Sequence, residues 1–80
     1  MAKVPSPEKM AGEIFKVFKE HNIWANEMLP FQTLGPRITD QGYRMTDFQT
    51  GVDHMKAKGW LIVKGKEGRY FLTEEGFKVM

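Results

Sequence analysis

The stretch Gly59-Trp60-Leu61-Ile62-Val63-Lys64-Gly65-Lys66-Glu67-Gly68-Arg69-Tyr70-Phe71-Leu72-Thr73 holds two short apolar runs around a turn that carries two glycines. Apolar runs of this length around such a turn read as a β-hairpin, with strands over 60–63 and 69–72. Tyr70 and Leu72 fall on one face of the second strand, where they can pack against helices. Thr73 can cap a short last helix over 74–80. Glu74 and Glu75 then favour the positive end of that helix rather than forming an acid–base pair.

Immediately before the hairpin, Phe48, Val52, Met55 and Gly59 continue on one helical face. Thr46-Asp47-Phe48-Gln49 has the spacing of a capping box, with Thr46 as N-cap and Gln49 three residues on. Gly59 suits the left-handed residue that ends a helix. Gly51 falls on the apolar face, where glycine costs about 1 kcal/mol against alanine. Its expected compensation is a close approach to another helix.

The first helix is marked at both ends. Ser6 can act as N-cap and Pro7 as the first helical residue, with Glu8 in the first turn. Met10, Ile14, Val17, Phe18 and His21 then recur at helical spacing, which predicts a helix over 7–20 with Asn22 as its C-terminal cap. Ile23-Trp24-Ala25 has the composition of a short strand, and Asn26-Glu27 reads as a turn. Pro30 can open a second helix carrying Phe31, Leu34 and Ile38. Gly35-Pro36 sits badly inside a helix, so the second helix is either short and broken there or starts later. Asp40-Gln41-Gly42 is a turn signal.

Eighty residues make room for one domain, with residues 1–5 expected to be a flexible N-terminus. Hydrophobic residues at 41% and charged residues at 28% are globular proportions. No apolar run approaches the roughly 20 residues of a membrane span, and the first residues have no apolar core of a secretory signal. The absence of cysteine excludes thiolate nucleophiles, thiolate metal sites and disulfides, and favours a cytoplasmic location.

The net charge of +2 is unevenly placed. Residues 54–72 contain Lys56, Lys58, Lys64, Lys66 and Arg69 against Glu67 alone, a local surplus of four positive charges. Such a patch suits a polyanion, although ordinary solvated lysines on a hairpin would read the same way. No catalytic set is visible. Ser6 is the only serine, and His21 and His54 lack the spacing of a metal site. No glycine run resembles a phosphate loop, because 64–68 leads into a strand. The expectation is a non-enzymatic protein without a cofactor. His21 lies on the apolar side of the first helix and is expected to be buried or at the rim, with His54 at the surface.

The order helix, helix, helix, hairpin resembles the winged-helix branch of the helix-turn-helix proteins. Two stretches carry the resemblance. Met55-Lys56-Ala57-Lys58-Gly59-Trp60-Leu61-Ile62 is similar to the family's passage from third helix through glycine to apolar strand. Gly68-Arg69-Tyr70-Phe71-Leu72-Thr73-Glu74-Glu75-Gly76 is similar to the wing ending of MarR-like and PadR-like bacterial regulators. The implied fold is α+β and mostly helical: a three-helix bundle, a two-stranded hairpin wing and a short C-terminal helix. The implied partner is double-stranded DNA, bound by a small transcriptional regulator. The third helix would lie in the major groove and the wing would touch the backbone. Arg44, Thr46, Gln49, Thr50 and Lys56 would then be helix contacts, and Lys64, Lys66 and Arg69 wing contacts.

Asp47 and Asp53 place negative charge on or near that helix, which motivates a second expectation: a winged helix that binds a protein partner. Phe15 falls off the main apolar face and Trp24 lies in a connection. If exposed, they could form a partner or homodimer surface; otherwise they pack beneath the terminal segments.

Overall fold

The computed structural model describes residues 5–66 and 68–80. Apart from Pro5, the expected flexible N-terminus lies outside the described residues, as does Glu67 in the hairpin turn. The elements are α1 (Pro7–Glu20), β1 (Met28–Pro30), α2 (Phe31–Thr39), α3 (Met45–Ala57), β2 (Leu61–Lys64), β3 (Arg69–Leu72) and α4 (Glu74–Val79). The three strands form one antiparallel sheet in the order β1-β3-β2.

Helix α1 begins and ends as its sequence predicts. Ser6 Oγ accepts the Lys9 amide at 3.1 Å. At the other end the Asn22 amide donates to Lys19 and the Ile23 amide to Phe18, with Asn22 in the left-handed region at φ 54°. This paired closure satisfies two otherwise orphaned carbonyls. Helix α3 closes the same way around Gly59, at φ 76°.

The first strand is not at 23–25. Asn22 and Asn26 are both left-handed, and Glu27 folds back on Trp24 through its amide and its carboxylate. The backbone at 23–25 is thereby turned, and pairing starts at Met28, opposite Phe71. Helix α2 is also not broken at Gly35-Pro36; it runs continuously from Phe31 to Thr39 with Pro36 inside. Pro36 lies in the second turn of this helix, and the carbonyl four residues back that its missing amide leaves free belongs to Gln32, an exposed residue that water can serve. The Phe31 amide donates to Gly68 at 2.9 Å, tying the start of α2 to the hairpin.

The start of α3 differs from the Thr46 capping box. The N-cap is Arg44, and Asp47 Oδ2 accepts its backbone amide at 3.0 Å. Thr46 is already helical, and its carbonyl accepts the Thr50 hydroxyl at 2.9 Å. A carboxylate at the third position bonds the cap amide and complements the helix dipole, which a neutral Gln49 two residues later does not.

One apolar core joins the layers. It comprises Met10, Ala11, Ile14, Val17 and Phe18 of α1, Leu34 and Ile38 of α2, and Phe48, Val52 and Met55 of α3. Leu29, Leu61, Tyr70 and Leu72 close it from the sheet. Phe48 meets Tyr70 edge-on with ring centroids 5.6 Å apart, which locks α3 to the hairpin. Gly51 lets α1 approach: a Cβ there would lie 2.7 Å from Met10 Cβ and 3.1 Å from the Met10 carbonyl carbon. Gly12, on α1, has open space instead.

The two glycines therefore predict opposite responses. Gly51→Ala is expected to destabilise the protein by about 1–3 kcal/mol through overpacking, even against its gain in helix propensity. Gly12→Ala is expected to stabilise it by about 0.5–1 kcal/mol. Urea unfolding midpoints check both, and equal shifts of the same sign would refute the close approach.

Candidate nucleic-acid interface

With its apolar side against α1, helix α3 presents Thr46, Gln49, Thr50, Asp53 and Lys56 as exposed residues. Met45, its first residue, is 43% exposed. The hairpin presents Lys64, Lys66 and Arg69, also exposed. Lys64 and Arg69 are cross-strand partners at the tip end of β2 and β3. The eight expected contact residues thus form two groups, one on α3 and its cap, one on the hairpin. Phe48 and Tyr70 join the two elements on their buried sides.

The side chains of Arg44, Asp47, Gln49, Thr50 and Asp53, on α3 and its cap, are engaged with one another or with the helix backbone. The Arg44 guanidinium donates from Nε to Asp47 Oδ2 at 3.2 Å and from Nη2 to Asp47 Oδ1 at 3.1 Å. Its side chain still remains largely in solvent, where a phosphate would compete with Asp47 for the same guanidinium. Asp47 itself is 6% exposed, so its charge serves the start of the helix rather than the surface. Gln49 Nε2 donates to Asp53 Oδ1 at 2.9 Å, one turn along. The Thr50 hydroxyl is turned back onto the Thr46 carbonyl.

On the hairpin, no described acidic residue forms an ion pair with Lys64, Lys66 or Arg69. The Lys64 ammonium lies 5.2 Å from the centroid of the Phe71 ring, a cation–π distance.

No family model, curated protein or solved structure matches this chain.

Other expected features are placed differently. His21 is exposed, not at the core rim: it is the C-cap of α1, and its Nδ1 donates to the Val17 carbonyl at 3.0 Å. His54 is half-buried, edge-on to Trp60. Phe15 is also half-buried, with its ring centroid 5.5 Å from that of Trp60. It joins the core margin rather than a surface patch. Trp24 is 66% exposed and stacks on Phe77 of α4 at 5.4 Å.

Sequence reasoning missed Met45 because the helix was expected to begin after it. It also missed a groove of about 490 Å³ between the last turns of α1 and the end of α2. Lys16, Lys19, Glu20, Arg37, Asp40 and Gln41 line it, and an Arg37–Glu20 ion pair links the two helices there. Only the folded packing brings those charges together.

The Arg44 side chain, then its backbone amide, hold the Asp47 carboxyl below the ordinary carboxylate range. A depressed native pKa stabilises the fold above the unfolded value of about 3.9, and that contribution is lost as pH falls through the lower native value. Asp47→Asn is therefore expected to lower Tm at neutral pH and to lose Tm less steeply than the parent below about pH 4. Thermal melts across this range check it; parallel curves for the two proteins would show that the pair adds nothing.

Proposed function

We propose that this chain is a winged-helix domain that binds double-stranded DNA by occupancy, without catalysis, as a small transcriptional regulator would. In this reading α3 is the groove helix and the β2–β3 hairpin is the wing. The observation that carries it is the hairpin: Lys64, Lys66 and Arg69 are exposed and unpaired among the described residues, beside a helix that buries one face and presents the other. Cations at the tip end of a hairpin suit phosphates, which supply most of the affinity of a sequence-independent contact. The element order supports the same reading. Three helices precede a hairpin and a short helix follows it, the order in which the chain resembles a winged helix, while β1 adds a third strand beside β3 that the two-stranded wing did not include.

Helix α3 offers less. Asp53 stands among its exposed residues, and a phosphate-lined groove repels it. Gln49 would have to leave Asp53 to read adenine, or both would act together, with the aspartate accepting from a cytosine amino group. Binding by wing phosphate contacts, with modest base selectivity from Thr46, Gln49, Thr50 and Lys56, fits this distribution.

A second reading is a winged helix that holds a protein partner with the same helix. The exposed Met45 beside the Gln49–Asp53 pair favours it, since an apolar anchor with a polar rim is the pattern of a protein contact.

A salt titration of binding to a random-sequence duplex separates the two readings. DNA binding predicts an affinity that falls steeply with salt. Lys64→Ala with Lys66→Ala should weaken binding to all sequences alike and flatten the log–log salt slope by about two. An unchanged affinity and slope would remove the wing from the interface, and no binding at low salt would remove DNA altogether.

A further inference from the structure

The two acidic residues of α3 stand in different settings. Asp47 is buried and paired with Arg44. Asp53 is exposed and has no ion-pair partner among the described residues. Its Oδ1 accepts the side-chain amide of Gln49 at 2.9 Å, and its Oδ2 has no hydrogen-bond partner among the described residues. One bond therefore fixes the carboxylate and leaves an oxygen of it free.

The neighbouring side chains are left with acceptors as well. Gln49 gives one amide proton to Asp53 and keeps its Oε1. The Thr50 hydroxyl donates to the Thr46 carbonyl, so its oxygen has only lone pairs to offer. Gln49, Thr50 and Asp53 adjoin one another in the middle of the exposed face. Lys56, in the last turn, is the only lysine or arginine within α3, and the guanidinium of Arg44 at the cap is bonded to Asp47. The middle of the helix thus lacks the arginine or lysine that most often reads guanine, and carries acceptors in its place.

We infer, resting on the reading of α3 as the groove helix, that Asp53 is a specificity-determining residue which selects a cytosine by accepting a hydrogen bond from its N4 amino group. In the major groove the amino groups of cytosine and adenine are the donors, whereas guanine shows O6 and N7 and thymine shows O4, all acceptors. A carboxylate set against an acceptor edge loses its water and gains no bond, so guanine and thymine are rejected. Adenine has a donor at N6 with the acceptor N7 beside it, and N7 repels the carboxylate. On cytosine the neighbour of the amino group is a C–H, which leaves nothing on that edge to oppose Asp53. Gln49 is a positioning residue: it holds Oδ1 and leaves Oδ2 for the base. The charge that weakens attraction to every duplex then favours one base within it. Wing phosphate contacts hold the duplex, and the carboxylate chooses along it.

Selection from a randomised duplex library tests this, at a salt concentration where the parent chain binds random duplex. The parent should enrich one cytosine position, and replacing that cytosine should weaken binding about tenfold. Asp53→Ala should bind random duplex more tightly than the parent, because a charge opposed to the phosphates is gone, yet lose the cytosine preference. Asp53→Asn should move the preference to adenine, since a side-chain amide matches N6 and N7 together. Gln49→Ala should keep cytosine as the preferred base with a smaller ratio over the others. Both substituted positions are exposed, and unchanged circular dichroism spectra confirm that each variant folds. A parent chain that binds random duplex with a steep salt dependence but enriches no cytosine overturns the inference and leaves the wing contact intact. So does a cytosine preference that survives Asp53→Ala. No binding of any duplex at low salt overturns the inference and the DNA-binding reading together.

Discussion

Helix α1 lies so close to α3 that the contact has no room for a Cβ at residue 51. Most of what the domain presents to solvent follows from that approach. It buries Phe48, Val52 and Met55 on one side of α3 and so decides which residues form the other side. Phe48 then reaches Tyr70, and the edge-on ring contact fixes the hairpin relative to α3. A chain this small has little apolar area to dispose of, so closeness of packing has to stand in for size of core. Gly76 repeats the device at the far end, where a Cβ would meet the Trp60 carbonyl oxygen at 2.3 Å and push α4 away from the hairpin.

Much of this was legible because the signals are local. Ser6, Asn22, Gly59 and Thr73 act at helix ends through bonds that span a few residues, and each ends or starts a helix as its type suggests. The hairpin was equally clear, since alternation and turn glycines lie in one continuous stretch. Elements that depend on distant partners were not. Strand β1 has three residues and exists because β3 offers it an edge; nothing within 28–30 marks it, and Pro30 argues against it. Helix α2 survives Gly35-Pro36 because one lost hydrogen bond is cheap when the orphaned carbonyl is in water, a fact of position rather than of composition. The cap of α3 was misplaced for a different reason. Thr46 and Asp47 both offer a capping chemistry, and the choice between them turned on Arg44, whose guanidinium adds two further bonds to the carboxylate.

The expected contact residues show the same division. Lys64, Lys66 and Arg69 are where a hairpin must put them. The residues on α3 are also on the expected side, but most of their polar atoms are turned toward one another or the helix backbone, and pairing of this kind depends on rotamers that spacing alone does not specify. Asp47 changes meaning most. As a bare sequence position it counts as negative charge near a reading helix; in the fold it is buried and neutralised by Arg44. The charge that opposes DNA on α3 is therefore Asp53 alone, and that narrows the case against a groove helix to one residue, itself bonded by Gln49.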